Sequence, residues 1–462
     1  MAGSNEFPFQ AVPSSERRGP IVMGLLWITM VTAFPTVLAG FQWYKDGFTL
    51  WQVVGCCLLS CLMLLAYVIP SAQMGARTGQ TYTGLSRTVF GKWGSRLVTV
   101  NLIWMFVAFY GLTALFMAEA IQDSFHLHGS LMWLTAAFAV LMAFNNFFGF
   151  KGVANFARYF AAPVLICWML YTFFKAVTSC PDAILFQPSH KPFTLALSTI
   201  SSFVIGFAVW GNEADYWRFS KPQLKSTVPP LAIALALGMV MFPVTGWILA
   251  KLTGITDYAA ATTVMSTYSF GGVALIGVIV LGASYFACND SNLFGSAYAF
   301  ENLKKLSHKS CVCIIAVLGA IVGVWLALSG SAKSLEMIAS LNAVILPTPT
   351  VIMICEWALC NLVFRTLGRF GERIPEFDEL PSVRLPATIA LFVAIGTGLA
   401  TSGVIPGTES MKVGIPSVLT WLVSAAVYIP LRMIEYRQTV KDQRVVLENV
   451  FSRGAAVEVS DR

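Results

Sequence analysis

Charge is scarce in this chain: Asp, Glu, Lys and Arg make up 11% of its 462 residues. A soluble domain of that size would lack polar side chains to cover itself, so that class is excluded. Histidine is scarcer still, with four copies, His126, His128, His190 and His308, all falling in loops between apolar runs. Of the ten Cys, most lie inside apolar runs and read as small buried hydrophobes. Cys311 and Cys313 form a C-x-C with no second Cys or His pair beside it, so neither a metal nor a cofactor is expected. Carboxylates, His and Cys at the spacing of a nucleophile or ligand set are missing too, which argues against an enzyme and leaves no catalytic residue to name. The polar N-terminus lacks the short apolar core and small-residue cleavage site of a signal peptide, so the first apolar run is expected to stay in the protein.

What the chain has in abundance is apolar surface: 56% of its residues are hydrophobic, and the mean hydropathy is +0.71. Runs of about 20 apolar residues cross the ~30 Å hydrocarbon layer as helices. Twelve such runs are read, roughly at 20–44, 49–73, 97–121, 130–150, 153–177, 195–217, 227–250, 270–300, 310–328, 335–363, 386–405 and 414–433. A transmembrane barrel would instead show short alternating strands. With both termini in the cytoplasm, the cytoplasmic segments hold all of the 30 Lys and Arg but Lys45, Lys175, Lys191, Lys251, Lys333 and Lys412, the bias that orients membrane helices. The net charge of +7 is then mostly a topology signal and requires no nucleic acid. The expected layout is a cytoplasmic segment 1–19, a ten-helix core 20–363, a cytoplasmic loop 364–385, helices eleven and twelve within 386–433, and a cytoplasmic tail 434–462. The whole lies in the cell (inner or plasma) membrane, in contact with lipid, and its oligomeric state is not legible.

Spans six to ten echo spans one to five in position, each set opening on an interrupted helix: TAFPTVLAGF at 32–41 and GFAVWGNE at 206–213. Paired interruptions in two halves point to an inverted repeat with a site near the midplane, and units of five spans insert with opposite orientations. In the first break Pro35 removes a backbone donor and Gly40 weakens the helix. In the second, Gly206, Gly211, Asn212, Glu213 and Asp215 fall within ten residues, although a charge at mid-membrane costs at least ~2.5–3.5 kcal/mol. Asp215 and Arg218 are spaced to pair at the interface, whereas Glu213 and Asn212 lie deeper and suit either a structural or a functional role. Span eight carries ASYFACNDSNLFGS at 283–296, where Asn289 offers an amide edge and Asp290 is either a functional carboxylate or a helix anchor. Span three gathers Trp104, Phe106, Phe109 and Tyr110, either packing or a stacking platform faced by Phe207 and Trp210.

The segments VPSSERRG (12–19), GARTGQTYTGLSRTVFG (75–91), EADYWRF (213–219) and CNDSNLFGSAYAFEN (288–302), in that order and spacing, resemble the nucleobase:cation symporter family of bacterial cytosine permeases and their relatives. The resemblance implies an all-α fold of twelve helices with the inverted repeat of the leucine transporter, and alternating access driven by a cation gradient. It implies a flat base held between Phe109 and Phe207, with Trp210 a rival for the second ring, and read by Asn289. The amide those permeases carry on span three falls at or beside Phe106 here, which disfavours cytosine itself. It further implies a sodium ion near Thr29 and Ala33 on span one and two hydroxyl residues on span eight. Those two positions are Ala287 and Cys288, which supply no oxygen to a hard cation, and Ser284 compensates in part. Proton coupling through Asp290 or Glu213 therefore stands beside sodium coupling. The expected function is cation-coupled import of a nucleobase or related planar heterocycle. The alternatives are a symporter for another ring such as hydroxymethylpyrimidine, allantoin or hydantoin, and, more remotely, a membrane-embedded protein that does not transport.

Overall fold

The computed structural model describes residues 10–460 apart from 126, 128, 182–189, 257, 272, 305, 330–331, 365–368, 406 and 412. His126, His128 and Lys412, named above, lie outside the described residues. Those described form helices joined by short loops, with one isolated β-bridge, Arg18 to Ser220. Eight helices are long and apolar enough to cross a membrane, or nine if the bent pair Pro20–Val31 and Phe34–Lys45 is one span. Twelve crossings are compatible with this arrangement. The continuous segment Leu131–Thr178, at 48 residues, exceeds a single crossing of about 20, and it turns at the 3₁₀ stretch Phe144–Phe148 and Gly149.

The first span breaks at Thr32 and Ala33, and its halves meet at 47°. Pro35 is the cause but not the location. Its ring would clash with the carbonyl four residues earlier, so the helix ends at Val31, and Pro35 sits in the first turn of Phe34–Lys45, where its missing N–H costs nothing. Span six runs as Phe193–Ala208, unwinds from Val209 to Asn212 and resumes as Glu213–Trp217. Gly206 is inside the helix and breaks nothing. A Cβ there would overlap the backbone carbonyl of Ala339, so it serves the close approach of span ten. Gly211 is the residue that turns the chain, at φ +73°.

Both halves of span one lie along span seven (Leu224–Leu235 and Phe242–Thr253), and both halves of span six lie along span two (Leu50–Thr78). This reciprocal packing is what an inverted repeat produces, and it brings the two breaks together. Spans three (Tyr82–Phe125, kinked at Gly91) and eight (Ala274–Leu303) pack on each other beside them, and the helix Ala332–Ile345 of span ten covers span six. Two further features were not expected. A separate helix, Tyr258–Phe270, precedes span eight, and the last helix continues from Pro416 to Ser460.

The VPSSERRG segment acts as a tie at the N-terminal end of the bundle. Val12 N–H donates to Gly79 O at 3.0 Å and Arg17 Nη1 to Ala76 O at 2.6 Å, fastening it to span two. Arg18 N–H donates to Phe219 O at 2.5 Å, just past span six, and Phe219 stacks on Phe150 of span five at 3.9 Å between ring centres.

Candidate functional site

Unwound backbone inside a membrane must find partners within the protein, and the break in span six finds them on its own Glu213 and on neighbouring spans. Trp210 and Gly211 N–H donate to Glu213 Oε1 at 3.0 and 3.1 Å. The other oxygen, Oε2, accepts from Tyr67 and Ser71 of span two at 3.0 and 2.8 Å. Gly211 O accepts from Thr350 Oγ1, while Gly206 O and Val209 O accept from Asn342 Nδ2 at 2.6 and 3.2 Å. Glu213 is thus a staple that holds the loop to span two. Asp215 is structural as well, with Arg218 near enough to attract it as expected and two further partners that were not. Its carboxylate accepts from Tyr82 N–H at 2.7 Å and Asn212 Nδ2 at 2.9 Å, capping the start of span three. Arg218 lies against the rings of Phe219 and Tyr298.

A small cavity of about 20 Å³ lies where the breaks meet spans three, eight and ten. Phe106, Phe109, Phe207 and Trp210 wall it, joined by Met30, Val209, Cys288, Asn292 and Asn342, all of them buried. Four of the five expected binding residues are therefore brought together. Helix geometry explains the sorting along span three. Phe106 and Phe109, three apart, share a face, whereas Trp104 is half exposed on the far side, and Tyr110 turns to span four, donating its hydroxyl to Ala139 O at 2.5 Å. The expected parallel sandwich is not present. Phe109 and Phe207 stand at 89° with centres 6.5 Å apart, whereas a base between parallel faces needs two contacts of ~3.5 Å. A ring has to turn before anything is stacked there.

Asn289 does not line the cavity. Its Nδ2 donates to Tyr110 O at 3.0 Å and lies 3.0 Å from Met142 Sδ, fixing span eight to span three. Its Oδ1 accepts from Asn292 Nδ2 at 3.3 Å, and Asn292 is the amide that reaches the cavity. Asn342 was missed, although an Asn in the apolar run of span ten carried the same signal as Asn289. Two buried polar atoms on cavity residues have no partner, Asn342 Oδ1, an acceptor, and Trp210 Nε1, a donor. Buried polar atoms left unpaired are costly, and such atoms beside a cavity mark where a ligand edge would be read.

The residues expected around a sodium ion are largely committed elsewhere. Ser284 Oγ accepts from Phe34 N–H at 3.0 Å, tying span eight to the break in span one. Ala33 O accepts both the N–H and the hydroxyl of Thr36, at 3.0 and 2.8 Å, and the Thr29 hydroxyl donates to Leu26 O at 2.7 Å. Ala287 packs on Ala161 of span five, and Cys288 faces the cavity. Asp290 also lies away from the cavity. It accepts from Asn145 Nδ2 at 2.8 Å and Asn146 Nδ2 at 3.2 Å, at the turn between spans four and five.

Broken helices crossing at a cavity inside an inverted repeat define a transporter, with access alternating around a central site. The chain belongs to the family of permeases for cytosine/purines, uracil, thiamine and allantoin, whose pattern matches residues 11–361. It is 26% identical to the cytosine permease of Escherichia coli over 335 residues, which is 71% of this chain and 76% of that one. It is 24% identical to the purine-uracil permease NCS1 of Arabidopsis thaliana over 357 residues, covering 69% of this chain and 58% of that one. In fold it is similar to MHP1, a nucleobase-cation-symport-1 family transporter solved in a closed conformation with bromovinylhydantoin bound. The TM-score is 0.74 at 20% identity, over 95% of this chain and 96% of that one.

Proposed function

We propose that this protein imports a small, one-ring heterocycle with a cyclic-amide edge, as in uracil or a hydantoin, across the cell membrane, with both termini in the cytoplasm. The carrying observation is the lining of the cavity: four aromatic walls, with an unpaired acceptor, Asn342 Oδ1, and an unpaired donor, Trp210 Nε1, on residues that line it. A cyclic amide offers the complementary pair, one N–H and one C=O. At about 20 Å³ the cavity is far smaller than the ~300–1,000 Å³ of small-molecule sites, so its walls have to part to admit a ligand, and one ring asks less of them than two. The aromatic walls supply stacking once a ring turns, and Asn292 reads a further polar position.

Protons rather than sodium drive accumulation in this reading. With Ala287 and Cys288 on span eight and the Ser284 oxygen engaged by Phe34 N–H, few oxygen ligands remain for a hard cation. The test is uptake into proteoliposomes of labelled uracil, cytosine, hypoxanthine, allantoin and a substituted hydantoin, under a sodium gradient and separately under a pH gradient. Saturable uptake of a one-ring cyclic amide driven by the pH gradient is expected. Uptake of none of the panel refutes the transport reading, and sodium-driven uptake without a pH gradient refutes the choice of ion.

A further inference from the structure

Glu213 and Asp215 each accept at least one backbone N–H, a partner that can only donate. Asp290, buried in span eight, is held differently: among the described residues its carboxylate meets only the side-chain amides of Asn145 and Asn146. A carboxamide carries a donor and an acceptor. Turned one way it serves a carboxylate, and turned the other way it accepts from a carboxylic acid, with no backbone movement. An ionised carboxylate buried without a cation is expensive, and a proton removes that cost.

A second proton is marked by geometry on the same asparagine. His308 Nε2 lies 2.8 Å from Asn146 O, and its Nδ1 meets Glu301 Oε1. Both partners present oxygen acceptors, and an imidazole donates from both nitrogens only when protonated. The pair is nearly closed off, with 11% of the His308 side chain and 6% of the Glu301 side chain exposed. The other groups facing this network are few. Tyr110 of span three has its hydroxyl on Ala139 O, and Cys311 of span nine lies near Glu301. Arg218, at the end of span six, lies over the Tyr298 ring, which packs edge-on to His308.

Resting on the transport reading above, we infer that Asp290 carries the coupling proton. Asn145, on Oδ2, switches its amide between the two forms, while Asn146 stays a donor to Oδ1 and to the Asp290 backbone carbonyl at 3.1 Å, and the His308–Glu301 pair positions Asn146 from the cytoplasmic side. One proton binds Asp290 on one side of the membrane and leaves on the other, accompanying one neutral substrate. Because both parts of the network grip the turn between spans four and five, proton occupancy sets how that turn is held against span eight.

The first test needs no heterocycle. Infrared difference spectra of the full-length protein are recorded between about pH 8 and pH 5, the range in which protein switches operate. A carboxylic-acid C=O band is expected to grow with acid, to vanish in Asp290→Asn and to move in Asp290→Glu. His308→Gln is expected to shift the midpoint of that band, which a purely structural histidine would not do. In proteoliposomes, a one-unit pH gradient supports up to ~10-fold accumulation for one proton per substrate, and Asp290→Asn is expected to reduce this to none. No titrating band, or a band unchanged in Asp290→Asn, overturns the assignment. A band at Asp290 in a protein that transports none of the panel would instead sink only the transport reading.

Discussion

Removing the Glu213 side chain isolates the contribution of the staple at the break of span six. In Glu213→Ala, four donors lose their acceptor: Trp210 N–H, Gly211 N–H, Tyr67 Oη and Ser71 Oγ. The two hydroxyls can rotate toward other acceptors, but the two backbone N–H groups are fixed by the unwound loop. At ~1–3 kcal/mol for each buried donor left unsatisfied, the loss is about 2–6 kcal/mol. Glu213→Gln behaves differently. Its oxygen can stay on the two backbone N–H groups while its amide donates to the hydroxyls, which then accept. Only the charge assistance is lost, about 1–2 kcal/mol. Thermal unfolding in detergent, followed by monodispersity on heating, should rank the wild type first, Gln second and Ala far below. Ala unfolding with the wild type would mean that the four contacts carry no stability. Gln falling as far as Ala would mean that the charge itself is needed, and the staple reading would be wrong.

Three further outcomes follow from the packing and from the cavity. Gly206→Ala places a methyl group against the Ala339 carbonyl and should cost ~1–3 kcal/mol by overpacking; an unchanged melting temperature would show that spans six and ten do not approach so closely. Ser284→Ala should destabilise the protein equally with and without sodium, because it strips the acceptor from Phe34 N–H; a loss seen only in sodium would restore Ser284 as an ion ligand. Phe109→Ala should weaken heterocycle binding measured by calorimetry by at least the two- to tenfold equivalent of ~0.5–1.5 kcal/mol of stacking, and unchanged affinity would remove Phe109 from the site.

Much of the architecture was legible because hydrocarbon leaves the backbone few options. Apolar runs of sufficient length have to be helices, so their type and approximate limits could be read from composition. Glycines and carboxylates inside span six had to mark a special place, because their cost there has no other justification. The aromatic residues that wall the cavity were legible for two reasons: Phe106 and Phe109 sit at helical spacing, and Phe207 and Trp210 lie beside the interruption of span six.

What each polar residue does was decided only in three dimensions, because the partners come from remote parts of the chain. Glu213 and Asp290 look alike in sequence, each a lone acid in a membrane span. Tyr67 and Ser71, more than 140 residues earlier, make Glu213 a staple, while Asn145 and Asn146 surround Asp290 with amides, of which that of Asn145 can serve either of its protonation states. Asn289 and Asn292 differ by less than one helical turn, and whether an amide reaches the cavity or Tyr110 depends on how span eight is rotated against span three. The amino-acid sequence by itself determined that the chain is a bundle of apolar helices and that the first and sixth are interrupted, because solvation of the backbone is a local matter. Tertiary structure alone assigned the charges and amides their roles, because a buried polar group takes its meaning from the partner that satisfies it.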